Sequence, residues 1–496
     1  MKKTIYTVLL LLLVFTSCDK DFEELNIDPT KSSQIDAKSK FTATLLRTSG
    51  ERYEAWRANL IYQSTMMQHI ATTTGYWVGD KYFWNQGYAA SLWDRYYTGP
   101  VKGIEDILVQ LRVEEQPAEM IAIARIQRVV IYQRLTDLYG DVPYSEAGKG
   151  YLEGILTPKY DAQSDIYADM LKELEESAAD LGSGTSKWGD ADLIFKGDQG
   201  KWKRYANSMM LRLGLRLIKV DPVAAKNWAT KAISGGVMTS NSDIAYIQHT
   251  PGPEGINKNG NGETFTADGS PRLSKTFVDF LNGDPRLPIL AARRSDKSTL
   301  PADLKGLPNG LDGDLLKALT GEENTNAYAE PNRAIITGED APMFFQTYAE
   351  VEFMLAECAE RWGLAGGNTE THYNAGVTAA MKYLELYGSA ASISDDKIQA
   401  YLTNNPFNSA KALEMIGNQY WAATFLNEYE TFSNWRRTGF PNLVPVNYPG
   451  NETNGTIPRR LTYTTSEQVV NAANYNAAIA AQGPDILTTR VWWDKQ

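Results

Sequence analysis

The sequence predicts a mainly α-helical protein, an array of tetratricopeptide-like helical hairpins with a large irregular, loop-rich part. Three observations predict this fold class. Apolar side chains recur every three or four residues in several segments. Turn-forming residues divide these segments into two-helix units of roughly 35 to 40 residues. Two further stretches lack this periodicity and are rich in Pro, Gly and Asn.

The N-terminus has the layout of a lipoprotein signal peptide, which we assign to residues 1–17. Two lysines precede an apolar run from Val8 to Phe15, and small residues lead to Cys18. Phe15-Thr16-Ser17-Cys18 resembles a bacterial lipobox, so we expect Cys18 to be acylated and to anchor the protein. The alternative is an ordinary cleaved signal with an incidental cysteine. The apolar run is too short for a permanent membrane helix, which needs about 20 residues.

Residues 18–40 are predicted to form a lipidated tether, followed by a single domain over residues 41–496. The acidic run Asp19 to Glu24 resembles the surface-export signal of Bacteroidetes lipoproteins, or is simply a solvated tether. No later segment approaches 18 consecutive apolar residues, so we expect no transmembrane helix.

Helices are expected in the first half at 101–112, 117–139 and 164–181. A further helix is predicted over 201–219, because its apolar residues lie on one helical face. These residues are Trp202, Ala206, Met209, Leu213 and Leu217. Asp221-Pro222 should end this helix and begin the next, which should end at Gly235-Gly236. The result is a helix, a tight turn and a second helix.

The second half repeats the pattern. One stripe contains Val351, Met354, Leu355, Cys358 and Trp362, and the next contains Tyr373, Val377, Ala380, Met381 and Leu384. Gly366-Gly367 and Gly388 should end these two helices, and a further helix should begin near Leu413. Since Cys358 lies within an apolar stripe, we expect a buried, inert thiol.

Residues 236–343 and 437–465 are expected to be irregular. Both stretches are crowded with turn-forming residues, and a loop region of this length is usually functional or disordered. We interpret them as surface structure laid over the helices. Within the first stretch, Asn259-Gly260-Asn261-Gly262 lacks the Lys-Ser/Thr ending of a phosphate loop and is interpreted as a turn.

Composition excludes several classes of function. Of the 496 residues, 49 are Lys or Arg and 60 are Asp or Glu, a formal net charge of −11 that argues against a nucleic-acid partner. The three histidines lie far apart, without zinc-ligand spacing. Asp190, Asp192 and Asp198 could ligate calcium, but they fit no calcium-loop spacing, and we expect no cofactor. A carboxylate pair able to cleave a glycosidic bond stays open, since Asp and Glu are plentiful.

The segment 76–97 is the strongest local anomaly, since nine of its 22 residues are aromatic. Trp93, Tyr96 and Tyr97 have helical spacing and should face the core. The first part is interrupted by glycines, and its rings would suit stacking on sugar rings as well as core packing. The candidate ligand-binding residues are therefore Tyr76, Trp77, Tyr82 and Trp84, with Asp80, Lys81 and Asn85 for polar contacts.

A family resemblance is carried by seven short segments in order, together with the lipobox. They are Asn26-Ile27-Asp28-Pro29, Tyr139 to Tyr144, Trp202 to Leu217 with Asp221-Pro222, Asp284 to Leu287, Glu350 to Glu360, Asn434 to Arg437, and Ile457 to Arg460. With them the chain resembles the SusD/RagB family of nutrient-binding outer-membrane lipoproteins of Bacteroidetes, in its SusD-like second subgroup. Tyr139 to Tyr144 and Asp284 to Leu287 suit tight turns and ion pairs, so we expect them to be structural.

This resemblance implies four tetratricopeptide-like helix pairs plus an irregular ligand-binding half. It also implies a partner, a SusC-type TonB-dependent transporter, to which the lipoprotein delivers captured oligosaccharides without turning them over. Three other functions stay open from the residues: the same carrier role for peptides, a surface glycoside hydrolase, and a purely structural interaction module.

Overall fold

We describe the protein from a computed structural model, in which the structure describes residues 35–253 and 255–495. The predicted signal peptide, Cys18 and the tether up to residue 34 lie outside the described residues. The first helix begins at Ala37, where Asp36 accepts hydrogen bonds from the backbone N–H groups of Lys38 and Ser39. Because Ala37 and Phe41 are already buried, the predicted domain boundary at residue 41 lies inside a packed helix.

The helices of the N-terminal half are α1 (Ala37–Ser49), α2 (Arg52–Glu54), α3 (Gln86–Ala89), α4 (Ser91–Tyr96), α5 (Lys102–Val113), α6 (Ala118–Tyr139), α7 (Gly150–Glu153), α8 (Gln163–Asp180), α9 (Gln199–Arg216) and α10 (Pro222–Gly235). Two of them continue as π-helices, α2 into Ala55–Ser64 and α4 into Tyr97–Val101.

The helices of the C-terminal half are α11 (Gly260–Ala267), α12 (Lys275–Phe280), α13 (Leu287–Leu290), α14 (Gly313–Thr320), α15 (Tyr348–Trp362), α16 (Thr369–Lys382), α17 (Asp395–Asn404), α18 (Ala412–Ala423), α19 (Glu428–Thr438), α20 (Thr465–Val470) and α21 (Ala472–Gln482). Short 3-10 turns occur at Val78–Lys81, Gly189–Ala191, Leu217–Lys219, Asn241–Asp243, Gly255–Asn257, Pro301–Asp303, Ala365–Gly367, Tyr383–Tyr387, Ser389–Ala391 and Ser409–Lys411.

The strands are short and pair two by two, always antiparallel. They are β1 (Ile70–Ala71), β2 (Val142–Pro143), β3 (Tyr160–Asp161), β4 (Ala245–Gln248), β5 (Arg272–Leu273), β6 (Ala291–Arg293), β7 (Ala329–Pro331) and β8 (Pro342–Gln346). The pairs are β1 with β5, β2 with β3, β4 with β8 and β6 with β7. Each pair joins two segments of the chain by backbone hydrogen bonds, and no larger sheet forms among the described residues.

The predicted helical hairpins are confirmed. Helix α5 packs on α6, α8 on α9, α9 on α10, and α15 on α16. Asp221 caps α10 by accepting a hydrogen bond from the Ala224 N–H at 2.9 Å, and Pro222 occupies the first turn. Cys358 on α15 is fully buried, and burial raises the pKa of its thiol well above the usual range, as expected of an inert cysteine.

The interior between the two halves holds a network of charged side chains. Arg212 on α9 lies 2.5 Å from Glu350 on α15, and Arg216 lies 2.7 Å from Glu430 on α19. The Tyr420 hydroxyl donates to Glu430 at 2.7 Å. All five side chains are buried, so each charge depends on its partners for the hydrogen bonds that water would otherwise supply.

The prediction that region 236–343 is surface structure laid over the helices is wrong in part. Phe277 in this region is fully buried, and its ring lies 4.7 Å from the ring of His69 and 5.3 Å from that of Trp421. The region therefore supplies part of the core. Its apolar residues lack helical periodicity because they enter the core from short turns and strands, where spacing does not reveal burial.

The prediction of a turn at Asn259–Gly262 is also wrong. Asn259 caps α11, its side chain accepting a hydrogen bond from the Gly262 N–H at 3.0 Å. A methyl group on Gly262 would lie 2.2 Å from the Gly338 carbonyl oxygen. The glycine is required because another backbone segment passes over this helix, a close approach that sequence cannot show. Within 35–253 and 255–495, no helix is both long and apolar enough to cross a membrane.

Candidate functional site

The structure divides the predicted site residues into buried and exposed groups. Trp77, Asp80, Lys81 and Tyr82 are buried and offer no surface that a ligand could touch in this structure. For Trp77 and Tyr82, the alternative of core packing therefore holds, and the assignment of Asp80 and Lys81 to polar ligand contacts is corrected. The physical reason is that the loop folds back on the π-helix, which sequence could not show. Tyr76 and Trp84 are 41% and 44% exposed.

The buried group holds the loop in place. Asp80 accepts hydrogen bonds from the Asn309 side chain at 2.6 Å and from the Gly310 N–H at 3.2 Å. The ammonium of Lys81 donates to the Thr72 carbonyl at 3.1 Å. Burial raises the pKa of Asp80, against the opposing effect of the Lys81 charge. These contacts join the aromatic loop to the irregular region.

Gly79 allows the loop to lie directly on the π-helix. A Cβ at this position would lie 2.1 Å from the Ile61 carbonyl oxygen, so only glycine fits. Next to it, Tyr82 adopts a left-handed backbone conformation with φ 55°, and its hydroxyl accepts a hydrogen bond from the Val446 N–H at 3.0 Å. The loop therefore reverses direction here, and Trp84, two residues further on, is exposed.

Tyr76 is exposed but fixed. Its hydroxyl donates to Asp268 at 2.7 Å, and the buried indole N–H of Trp77 donates to the same carboxylate oxygen at 2.9 Å. Burial tends to raise the pKa of Asp268, but these bonds and those from Ser270 hold it below its usual range. The carboxylate stays ionised and orients the Tyr76 ring.

Trp84 is anchored in the same way. Its indole N–H donates to the Thr462 hydroxyl at 2.8 Å, and its backbone N–H donates to Glu452 at 3.0 Å. Asn85, half-buried, caps α3 by accepting from the Tyr88 N–H at 3.1 Å. The edge of the indole is thus held while its face stays open to solvent.

Helix α2 and its π-helical extension contribute residues that the sequence analysis missed. Tyr53, Trp56 and Arg57 are half-buried, and the Trp56 ring meets the Tyr76 ring edge-on at 6.1 Å. The Arg57 guanidinium lies 3.8 Å from the centre of the Tyr53 ring and 5.2 Å from that of Tyr88. The signal was present in Arg52-Tyr53-Glu54-Ala55-Trp56-Arg57, where aromatic and arginine residues at helical spacing share the side opposite the buried Ala55 and Ala58.

We group the partly exposed rings of this region under the name aromatic face, within which Trp56 contacts Tyr76, and Arg57 links Tyr53 to Tyr88. It consists of Tyr53, Trp56, Tyr76, Trp84 and Tyr88. The rings of Tyr76 and Trp84 offer exposed apolar surface, and their polar edges are already bonded to the protein. Fixed flat rings lose little conformational freedom when a ligand stacks on them, so the face suits a flat ligand with apolar faces and polar edges.

The structure also has a separate cleft, which lies between α5, α6 and α8. This cleft has a volume of about 440 Å³ and is lined mainly by charged side chains. Much of that charge is internally paired: Arg128 donates to Glu105 at 2.6 Å and to the Tyr144 hydroxyl at 2.6 Å. Because much of its charge is already paired within the protein, we take the aromatic face as the candidate site.

Two of the three carboxylates considered for calcium, Asp192 and Asp198, have other roles. Asp192 accepts hydrogen bonds from the backbone N–H groups of Ile194 and Gly197 and from the Trp202 indole, all within 2.9 Å. Asp198 caps α9. In the part of the chain that the structure describes, no group of three or more His, Cys, Asp or Glu side chains is placed to hold a metal ion.

Comparison with known families places the fold. Residues 29–464 match the model of a SusD-like family, the second of that name. This family is described as starch-binding and associating with the outer membrane. The chain belongs to the SusD-like family. The predicted membership of this family is thereby confirmed.

Solved structures of other SusD-like proteins agree. A chitin-binding protein is 34% identical with a TM-score of 0.84, covering 93% of this chain and 100% of its own. A Bacteroidetes SusD-like protein, AC2a, is 25% identical with a TM-score of 0.81, covering 93% and 100%. A chitin-binding SusD homologue from Flavobacterium johnsoniae is 25% identical with a TM-score of 0.77, covering 93% and 99%. Among curated proteins, nothing matches this SusD-like chain.

Proposed function

We propose that this SusD-like protein captures oligosaccharides at the cell surface, on the aromatic face, and does not alter them chemically. The observation that carries the proposal is the pair Tyr76 and Trp84. Both rings are substantially exposed, yet the protein itself binds the polar edge of each. Large aromatic side chains held rigidly at the surface are costly to solvate, and ligand stacking removes that cost.

The chemistry of sugars suits this arrangement. A pyranose ring has an apolar face of C–H groups and a rim of hydroxyls, so it stacks on aromatic rings while its rim takes hydrogen bonds. The guanidinium of Arg57 lies between the rings of Tyr53 and Tyr88, at the edge of the face. An open surface also accommodates a chain of several sugars.

N-acetylglucosamine oligosaccharides are the first ligands to test. Two SusD-like relatives are described as chitin-binding, one of them 34% identical over 93% of this chain. We infer that a β-linked N-acetylglucosamine backbone lies along the aromatic face.

The carrier role is the second part of the proposal. An acylated Cys18 would hold the protein on the outer membrane, facing the exterior, beside a SusC-type TonB-dependent transporter. Anchoring raises the effective concentration of captured oligosaccharide at the transporter entrance. The family's association with the outer membrane supports this localisation. The protein would need no cofactor for binding.

Binding is tested by titrating purified protein with chitohexaose. A Tyr76→Ala/Trp84→Ala double variant should weaken binding by about 100-fold, because each stacked ring contributes about 1–2 kcal/mol. Tyr151→Ala is the matched control, since Tyr151 is 84% exposed on α7 and lies outside the face. Its affinity should equal that of the wild type. All three proteins should unfold at the same temperature.

The same experiment separates the alternatives. Equal affinity of the double variant and the wild type would refute the aromatic face as the site. Binding of peptides in place of every oligosaccharide would favour the peptide carrier. Reducing ends appearing during incubation with polysaccharide would identify a glycoside hydrolase.

The anchor is tested separately. In cells carrying Cys18→Ser, the protein should leave the membrane fraction and should not incorporate labelled palmitate. In wild-type cells, the protein should stay in the membrane fraction and should incorporate the label. Co-purification of a TonB-dependent transporter with the wild-type protein tests the proposed partner.

A further inference from the structure

Two arginines on the aromatic face differ from most others in the protein. The guanidiniums of Arg57 and Arg95 lie 3.8 Å and 4.7 Å from the centre of one ring, that of Tyr53. Within the described residues, no carboxylate comes within salt-bridge distance, 4.0 Å, of either guanidinium. Arg57 Nε is also buried without a hydrogen-bond partner. Tyrosine, rather than a counter-ion, holds both charges.

This arrangement leaves a charge imbalance. A cation is attracted to a ring face, but two like charges on one ring repel each other. The carboxylate of Asp94 interacts with both arginines at longer range, and burial raises its pKa. Burial raises the pKa of Glu54, close to Arg95, to about 7, so this neighbour is only partly ionised at neutral pH. An incoming anion would relieve the repulsion.

Excess positive charge also lies at the Tyr76 end of the face. Glu330 is fully buried and is the shared partner of three cations, Arg294, Lys297 and Arg333. A further arginine, Arg272, donates only to backbone carbonyls. Burial and the neighbouring guanidiniums lower the pKa of Arg272 to about 10.

This cationic group touches the turn that positions Tyr76. Arg333 donates to the Asp268 carbonyl at 3.0 Å, and Arg294 lies against Gly269. Tyr76 donates to the side chain of the same Asp268. Arg293 pairs with both Asp296 and Asp303, and Asp268 stays ionised, so five cations here face four carboxylates and one positive charge is left in excess. The side chain of Lys297 is 55% exposed and that of Arg294 is 32% exposed.

The aromatic face is therefore flanked by positive charge at two places, in a protein whose formal net charge is −11. The nearby carboxylates of Glu51 and Glu263 offset the charge of Arg52, so Arg52 does not add to this positive charge. From this distribution we infer that the face prefers glycans carrying anionic groups, carboxylate or sulfate, over neutral glycans of the same length. The inference rests on the proposed function and names the class of oligosaccharide.

The test compares three hexasaccharides by calorimetric titration of the purified protein. Chitohexaose is neutral. The hyaluronan hexasaccharide alternates N-acetylglucosamine with glucuronate and so carries carboxylates, and the chondroitin sulfate hexasaccharide alternates glucuronate with sulfated N-acetylgalactosamine and so carries both carboxylates and sulfates. At low salt we expect at least one anionic ligand to bind at least about tenfold more tightly than chitohexaose. Raising the salt from about 0.05 to about 0.5 M should remove most of this advantage, since it screens exposed charges. Comparison of the two anionic ligands shows whether sulfate groups strengthen binding beyond that given by carboxylates.

Variants assign the effect to the arginines. Arg57→Gln/Arg95→Gln should reduce the advantage of the anionic ligand to about threefold or less, while the affinity for chitohexaose changes by less than about threefold. The matched control is Arg112→Gln, an exposed arginine on α5 that, among the described residues, has no carboxylate partner either. It should leave every affinity unchanged. Lys297→Gln tests the cationic group beside Tyr76 and should lower anionic affinity alone.

Three results would overturn the inference. Equal affinities for neutral and anionic hexasaccharides would do so and leave glycan capture intact. A proportional loss of neutral and anionic binding in the arginine variant would assign Arg57 and Arg95 to hydrogen bonds with any sugar. Binding of none of the three ligands by the wild type would refute the proposed function together with this inference.

Discussion

Arginine has different surroundings in two regions of this protein. In the interior, Arg212 and Arg216 on α9 bind the buried carboxylates of Glu350 and Glu430 at 2.5 Å and 2.7 Å, and so join the helical hairpins to the C-terminal helices. On the aromatic face, Arg57 and Arg95 lie on the Tyr53 ring without such partners. A buried guanidinium needs hydrogen-bond partners within the protein, whereas an exposed one is hydrated and free to bind an outside group. The comparison teaches that pairing, rather than residue type, separates structural from binding arginines.

The largest effect should come from breaking the interior network. Arg216→Met should lower the free energy of unfolding by about 3–5 kcal/mol, because Glu430 and Asp137 would lose a partner in a region closed to water. Arg57→Met, the matched change on the aromatic face, should cost about 1 kcal/mol or less. Chemical denaturation of both variants measures this. Equal losses of stability in the two variants would show that carboxylate pairing does not distinguish the interior arginines from those on the aromatic face.

A second buried pair predicts acid sensitivity. Burial alone would raise the pKa of Glu357, but Arg437 on α19, bonded through both nitrogens at 2.7 Å, and Arg361 outweigh burial and lower this pKa to about 2. Because the folded-state pKa is depressed, the stabilisation is present above the unfolded-state pKa of 4.5 and is lost as the pH falls towards about 2.

The shift corresponds to about 3 kcal/mol. We therefore expect the wild type to exceed Glu357→Gln in stability by about that amount near neutral pH, with the difference shrinking as the solution is acidified. Urea denaturation at several pH values measures it. A difference that does not change with pH would contradict the assignment.

A smaller effect tests how the irregular region is joined to the rest. Gly262→Ala would force a methyl group against the Gly338 carbonyl and should cost about 1–3 kcal/mol. Gly313→Ala is the control, since a Cβ there meets no atom within 4 Å and the backbone is compatible, so stability should be unchanged or rise by about 0.4–1 kcal/mol. Thermal unfolding of the two variants tests this explanation. Equal destabilisation by both substitutions would show that alanine is unfavourable throughout this region and that the close contact is not the cause.

The smallest effect concerns two histidines. His372 has acceptors at both ring nitrogens, Glu352 at 2.6 Å and the Ala365 carbonyl at 2.8 Å, and the carboxylate raises the pKa of His372. Burial lowers the pKa of His249. Proton NMR titration should place the His372 midpoint above, and the His249 midpoint below, the ordinary value of 6.5.

Glu352→Gln should lower the His372 midpoint and leave His249 unchanged. The sign of the stability effect follows, since a raised folded-state pKa means that the contribution of His372 is complete below pH 6.5 and is lost as the pH rises through the folded-state pKa. Identical midpoints for the two histidines would show that the carboxylate has no influence.

Much of the helical scaffold was predictable because its signal is local. The stripe from Trp202 to Leu217, the Asp221-Pro222 junction and the Gly235-Gly236 stop all lie where periodicity and capping place them. The candidate site was predicted only in part. An aromatic-rich loop pointed to Tyr76 and Trp84, but the same criterion selected the buried Trp77 and Tyr82, because composition does not say which way a side chain faces in an irregular segment.

The sequence by itself determined the helical hairpins, the buried thiol of Cys358 and the family, since these depend on spacing along the chain. Only the tertiary structure decided which rings of the aromatic loop are exposed. It also brought Tyr53, Trp56 and Arg57 beside Tyr76, and left two arginines without carboxylates. The physical reason is that exposure and charge pairing depend on contacts between residues far apart in sequence. Asp268, for example, holds Tyr76 across 192 positions.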